Sequence, residues 1–399
     1  MKTEWVHKKL GDCCERICNG LTYDVEETQG YFVTRIETIS DGYIDYNKIG
    51  HIPDKPNQDY LMVNGDILFS HINSVKHIGK VAYYDDSTEL YHGMNLLLLR
   101  ANNNIDKLFL FYLLSSDKYR RKIRTLAKSA VNQASISTTD LGKFEISYPA
   151  DLSAQRRIAA ILSSADKVIA ATQKTIAKYK HMKQGMMEDL LKPKEGWKMV
   201  MLGEFIELQG GFAFQSRDFS DSGVPLIRIG DITPNGLNIS NSAKLPTDYL
   251  VEYENFVLNI NDTVIAMSGA TTGKCTLVTQ KDLPALLNQR VGRFRIKNSS
   301  IDKLFLYYIV SNNVYQQKLL LDAVGGAQPN VSPKQIESVF CNVPILSDGR
   351  PNLTEQHRIA AILSGIDAKI ATEEKVLEKY EKVKKGLMER LLDGDGKDN

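Results

Sequence analysis

QRRIAAILSSAD begins at Gln155, and QHRIAAILSGID begins at Gln356. A chain that writes one segment twice, about 200 residues apart, must fold both copies alike. Laid over each other, Gln155–Leu191 and Gln356–Leu392 share about twenty of thirty-seven residues without a gap. Both copies carry an apolar 3-4 spacing, the mark of a helix with one seam. In the first copy the seam runs Ile158, Leu162, Ala165, Ile169, Thr172, Ile176, Tyr179, Lys183, Met186, Leu190. In the second it runs Ile359, Leu363, Ile366, Ile370, Glu373, Leu377, Tyr380, Lys384, Leu387, Leu391. Thr172, Lys183, Glu373 and Lys384 interrupt it with polar groups. Ser153 and Thr354 stand where a hydroxyl caps a helix N-terminus. Lys192-Pro193 and Asp393-Gly394 stop the two helices. Each helix spans about 55 Å at 1.5 Å per residue, and a stripe that long needs a partner. The nearest partner is the other copy, which predicts an antiparallel intramolecular coiled coil.

The duplication extends beyond the helices. IDKLFLFYLLSSDKYRRKI from Ile105 returns as IDKLFLYYIVSNNVYQQKL from Ile301. Gln133–Pro149 returns as Gln328–Pro344, Arg35-Ile36 as Arg228-Ile229, and Trp5 with Leu10-Gly11 as Trp197 with Leu202-Gly203. The order is therefore globule, long helix, globule, long helix, with boundaries at 1–150, 151–195, 196–346 and 347–399. About six extra residues separate Pro344 from its helix compared with Pro149. Each globule reads as mixed. A short helix is expected near Leu10–Asn19, with strands at Tyr31–Ile36, Asp66–Phe69 and Leu96–Leu99. Counterpart strands are expected at Leu226–Ile229, Thr263–Ala266 and Arg293–Ile296. Amphipathic helices follow at Ile105–Leu126 and Ile301–Leu321, and a last strand precedes each of Pro149 and Pro344. Strands followed by helices in a small globule argue for an α+β fold. The fold class is two tandem α+β domains with two long antiparallel coiled-coil helices, related by an internal pseudo-two-fold repeat.

Several function classes fall away. Hydrophobic residues at 43% and charged residues at 25% suit sizeable globular cores. The longest apolar run, Leu108–Leu114, is too short to span a bilayer, and MKTEWVHKKL lacks the apolar stretch of a signal peptide. The expected location is cytoplasmic. Five cysteines without a CxxC pair read as reduced thiols. Gly269–Cys275 resembles a phosphate loop but has one residue too few between its glycines, and Cys275 stands where Ser or Thr would hold magnesium. The tail from Asp393 starts like a calcium loop and ends without the twelfth-position Glu. Seven histidines lie scattered without ligand spacing. No catalytic residue and no metal-ligand set is read from the sequence, which points to a binding chain, not an enzyme. A net charge of +2 places any basic surface in local patches.

Two similar globules on antiparallel helices match the local two-fold symmetry of duplex DNA. The helix starts, the doubled globule, GGFAFQSRDF (Gly210–Phe219) and IRIGDI (Ile227–Ile232) resemble the specificity subunit of type I restriction–modification enzymes, over essentially the whole chain. The resemblance implies that each globule is a target recognition domain for one half of a bipartite DNA site. It implies that the helices set the spacer and dock two modification (methyltransferase) subunits, which restriction subunits then join. Adenine methylation and ATP-driven cleavage would belong to those partners, with their S-adenosylmethionine, ATP and Mg; this chain would bind no cofactor. The other class that the architecture allows is a coiled-coil adaptor that binds only proteins.

Base edges are read by Arg, Lys, Asn or Gln, and phosphates are held by Lys, Arg or backbone amides. The first globule offers Arg35, Asn73, Lys76, His77, Lys80, Lys128, Asn132 and Gln133 in loops. The second offers Gln215, Arg217, Arg228, Thr271, Thr272, Lys274, Asn288, Gln289, Arg290 and Gln328. Ser70–Lys80 and Met267–Lys274 stand in equivalent places after a strand. Arg35 and Arg228 are equally suited to a structural ion pair.

Overall fold

The computed structural model describes residues 4–40, 42–74, 77–85, 88–130, 133–233, 236–321 and 330–393. The chain forms two compact units, Met1–Gln173 with Lys375–Asn399, and Lys174–Glu374.

In the first unit, four antiparallel strands lie in the order Cys14–Asn19, Leu97–Ala101, Ile67–Phe69, Val81–Tyr83. Successive side chains of a strand point to opposite faces, and this sheet buries both. Leu97, Leu99, Ile67 and Phe69 enter the larger core, beside the helices. Leu96, Leu98 and Leu68 enter a second core with Ile39, Met62 and Tyr84. An antiparallel ribbon of Trp5–Lys9 with Glu145–Pro149 closes the globule. The second unit repeats the plan. Its sheet runs Ile206–Gly210, Val291–Ile296, Thr263–Ala266, Cys275–Leu277. Ile265 and Phe294 face one core, Val264, Ala266 and Val291 the other. The ribbon here is Trp197–Met201 with Phe340–Pro344.

Five local expectations are corrected. Leu10–Asn19 is not a helix: a 3-10 turn at Leu10–Cys13 leads into the strand Cys14–Asn19, whose pairing with Leu97–Ala101 overrides local propensity. Ile105–Leu126 is two helices, Lys107–Ser115 and Asp117–Arg124, because Ser116 sits at extended ψ 146° and its hydroxyl caps the second. Asn312 breaks Ile301–Leu321 in the same way, into Lys303–Ser311 and Asn313–Leu321. The strands expected at Tyr31–Ile36 and Leu226–Ile229 end at Val33 and Ile227, where 3-10 turns begin soon after.

The two long helices are Leu152–Leu190 and Leu353–Leu391, each 39 residues. Ser153 and Thr354 do not cap them. Asp151 accepts the amides of Ser153 (2.9 Å) and Ala154 (3.2 Å), and Asn352 accepts that of Glu355 (3.1 Å). The extra residues before the second helix close on themselves, Leu346 N donating to Arg350 O at 2.7 Å, so the helix still starts in the equivalent place. The fully buried Gln155 then accepts from Asp106 N at 2.7 Å, and the fully buried Gln356 from Asp302 N at 2.8 Å.

Each unit contains the start of one long helix and the end of the other, running antiparallel. In the first unit Ile158 and Leu162 share a core with Leu387, Met388 and Leu391, while Lys384 reaches Asp166 at 2.5 Å. In the second unit Ile359 and Leu363 share a core with Met186 and Leu190, while Lys183 reaches Asp367 at 2.7 Å. The polar interruptions at Lys183 and Lys384 are thus paired groups. Tyr112 donates to Asp166 and Tyr308 to Asp367, both at 2.7 Å. Of the seam residues, Leu162, Ile176, Ile359, Leu363, Ile366 and Ile370 are buried. Ile158, Ala165, Ile169, Tyr179, Met186, Leu190, Leu377, Leu387 and Leu391 are half-buried. Tyr380 departs from the seam. It is 40% exposed, its hydroxyl end suited to water.

Candidate nucleic-acid interface

Strand registers gather the second unit's candidate loops at one end of its sheet. Ala266 pairs with Val291 and Gly210 with Gly292, so the segments after 266 and 210 and the one before 291 leave the same edge. The parallel pairing of Ile227 with Leu287 brings Arg228 and Asn288 there as well. Backbone bonds tie the loops together: Gln289 N to Phe212 O (2.9 Å), Asn288 N to Ile227 O (3.1 Å) and Met267 N to Arg290 O (3.0 Å). Residues spread from 212 to 290 thereby form one surface.

The first unit builds the same edge. Leu21 N donates to His92 O (3.0 Å), Met94 N to Leu21 O (2.8 Å) and Thr34 N to Tyr91 O (2.9 Å). The crossing at Leu21 and Phe212 requires glycine just before it. A Cβ at Gly20 would lie 2.1 Å from Gly93 O, and one at Gly211 2.3 Å from Leu287 O.

The two loops paired in the sequence share one clasp. Ser70 N donates to Lys80 O and Gly79 N to Ser70 O, each at 2.9 Å; Ala266 N donates to Lys274 O and Gly273 N to Ala266 O, also at 2.9 Å. Gly79 and Gly273 take φ +78° and +83°, a region that L side chains rarely adopt. Asn73 lies on the short strand Ile72–Asn73, which pairs with Gln133–Ser135, which in turn pairs with Lys128–Ala130. This three-stranded ribbon brings Asn73, Lys128 and the backbone of Gln133 together. Lys76, Asn132 and Gln328 lie outside the described residues.

Arg35 and Arg228 occupy the same position, each entering a 3-10 turn whose third residue accepts its amide: Thr38 Oγ1 at 2.8 Å and Asp231 Oδ2 at 2.9 Å. Their guanidinium groups stand 3.8 Å from Glu37 and 3.9 Å from Asp231, beyond a good hydrogen bond. Both side chains are about two-fifths exposed, which leaves charge facing water. Lys274, Gln289, Arg290, Gln215 and Arg217 are exposed, and Asn288 is half-exposed. Asn288 Oδ1 accepts Arg290 N at 3.3 Å. Arg217 stands 3.9 Å from Asp218. Lys128 pairs with Asp140 at 3.1 Å but is 79% exposed, where such a pair contributes little. Thr271 and Thr272 hold the loop itself, donating to Ile229 O (3.0 Å) and Gly269 O (2.7 Å). Lys80 donates to Ser40 O, and His77 is half-buried inside its loop.

Two groups at this edge escape a reading of the sequence. Asn95 is exposed at φ +69°, in the place Arg290 holds in the second unit, but HGMN and NQR share no residue in register to reveal it. His71, at the loop's base, is 6% exposed; its Nδ1 has no hydrogen-bond partner, and burial pushes its pKa down to about 4. Ile136 N donates to His71 O at 2.9 Å, a bond between residues 65 apart in the sequence. Burial likewise pushes the Cys14, Cys275 and Cys341 thiols up to about 12, which keeps them protonated and unreactive. Among the described residues, no group of three or more His, Cys, Asp or Glu could hold a metal ion, and no helix is long and apolar enough to cross a membrane.

Residues 2–180 and 194–382 each match the family described as type I restriction modification DNA specificity domain. The chain belongs to that family. The chain is 33% identical to a Methanocaldococcus jannaschii protein provisionally named the type I restriction enzyme MjaX specificity subunit, covering 98% of this chain and 93% of that one. To the MjaVIII specificity subunit of the same organism it is 31% identical, over 74% and 72% of the two chains. The type I restriction–modification S subunit from M. genitalium has the same fold, with a TM-score of 0.65 at 15% identity over 99% of this chain and 98% of that one. This protein is a specificity subunit with two recognition domains. Specificity subunits are not catalytic; the chemistry of these systems resides in other subunits, with which, and with DNA, they assemble.

Proposed function

We propose that each globule of this specificity subunit reads one half of a bipartite, asymmetric DNA site. Recognition is assigned to 1–150 and 196–346, and spacing to 151–195 and 347–399. The carrying observation is the gathering of segments 212–218, 228–231, 268–274 and 288–290 at one sheet edge, with the equivalent segments of the first unit gathered in the same manner. Arg35, Asn73, Lys128, Arg228, Lys274, Gln289 and Arg290 are assigned to base edges or phosphates, as their donor chemistry allows. Thr271 and Thr272 are assigned to shaping the loop.

The long helices fix the gap between half-sites and dock two modification subunits, which restriction subunits join. S-adenosylmethionine, ATP and Mg serve those partners, and the assembly works in the cytoplasm. Exchanging residues 196–346 for those of a relative with a different target tests the reading. The methylated motif should change in one half and keep its gap and its other half. A change in both halves would contradict independent readers.

A further inference from the structure

The first unit holds a groove of about 1590 Å³ between the helix Asp117–Arg124 and the parts of the long helices in that unit. Its charges are mixed, with the cations in excess: Arg120, Arg121 and Arg124 line it from the short helix, and Lys384, Lys385 and Arg390 from the long one, beside Asp117, Asp166, Glu381, Glu389 and Asp393. With Asp117 the three arginines follow i, i+3, i+4, i+7 spacing, so they form one stripe on the helix face away from buried Tyr119 and Ile123. Three of the five carboxylates in the groove lie beside its lysines. Asp166 pairs with Lys384 at 2.5 Å, Asp117 lies 3.9 Å from Lys385, and Asp393 pairs with Lys118.

Arg120 and Arg121 are not matched in this way. Arg120 Nε is buried with no hydrogen-bond partner, and Arg121 Nε donates only to the Asp117 carbonyl at 3.1 Å. Burial first, then the neighbouring Arg124 charge, push the Arg120 pKa down, and the Asp117 charge offsets them only in part.

The fold does not demand this stripe. The equivalent helix Asn313–Leu321 carries Gln316, Gln317 and Leu320 at the same positions. The stripe also continues into the candidate DNA edge. Arg124 Nε donates to Ile78 O at 3.4 Å, and a Cβ at Gly79 would lie 3.3 Å from Ile123, so the helix abuts the Ser70–Lys80 loop.

We propose that Arg120, Arg121 and Arg124 form a phosphate-binding ridge, which grips the DNA backbone flanking the half-site of the first unit. The second unit has no such ridge, so sequence-independent affinity is carried unequally by the two halves. This rests on the reading of the chain as a DNA reader.

The test uses the full chain in complex with its modification subunits, and two duplexes, one with the methylated motif and one of random sequence. Arg120→Gln, Arg121→Gln and Arg124→Leu together install the second unit's residues. Arg121→Gln alone changes only an exposed member, should the triple variant be unstable. The ridge predicts that log K falls less steeply with log salt, by about 0.9 for each phosphate that the variant no longer neutralises. Affinity for both duplexes should drop in parallel, about tenfold or more for the triple variant near 50 mM salt. The methylated motif should stay the same. A wild-type complex that binds its motif, with variants whose salt slope is unchanged, overturns the ridge alone. Dissociation of modification subunits without a change of slope overturns it too, assigning the groove to protein. A wild-type complex that binds neither duplex removes the DNA reading and the ridge with it.

Discussion

Tyr112 donates its hydroxyl to Asp166 at 2.7 Å, and Lys384 approaches the other oxygen of the same carboxylate at 2.5 Å. Tyr308, Asp367 and Lys183 repeat the arrangement in the second unit. One carboxylate thus joins a globule helix to both long-helix segments of its unit, and sets their register. Asp166→Asn should destabilise the first unit by about 1–3 kcal/mol, since Lys384 and the tyrosine keep their places but lose the charge they share. Tyr112→Phe should cost about 1 kcal/mol. Denaturant melts of the single and double variants measure the coupling; additive effects would contradict a shared carboxylate.

Gly211→Ala tests the loop crossing. Its Cβ would lie 2.3 Å from Leu287 O, so the backbone must move. A loss of about 1–3 kcal/mol is expected, with methylation weakened through the second half-site. Unaltered stability and an unaltered motif would show that the crossing is not required.

Acid should weaken the first unit through two histidines. His71 and His92 are buried, and burial holds both near pKa 4 against an ordinary 6.5. The unfolded chain takes up protons below pH 6.5 before the folded one does, so stability is complete above that value and declines as pH falls towards 4. Each histidine contributes about 3 kcal/mol at most to this decline. Unfolding free energies from pH 7.5 to 5 check it. His71→Asn should flatten the slope, and an unchanged slope would remove His71 as its source.

One matched heptad inserted in both long helices should lengthen them by about 10 Å. The gap in the recognised site should then widen by roughly three base pairs. Methylation of a reporter series with graded gaps reads the result, and an unchanged gap would sink the ruler.

The long helices are legible in the sequence because their identities are contiguous and periodic. Asp166, Asp367, Lys183 and Lys384 stand out as paired identities, though from the sequence alone the two lysines read as flaws in a seam and the two aspartates as neighbours of it. Only the fold gives them tyrosine partners 54 and 59 residues away from the aspartates. The loops Ser70–Lys80 and Met267–Lys274 can be paired from their place after a strand. Cys14–Asn19 reads as helix because its pairing with Leu97–Ala101 is a long-range contact with no local signature. The two hydroxyls of Thr271 and Thr272 look like DNA contacts, because the carbonyls they bind are invisible until the loop closes.

The most direct measurement is a genome-wide map of N6-methyladenine in the host, with and without this gene. Loss of methylation at a single two-part motif with a fixed non-specific gap is the predicted result. An unchanged map in a strain whose modification subunits are active, or loss of an uninterrupted motif, would contradict a two-domain reader on a helical spacer.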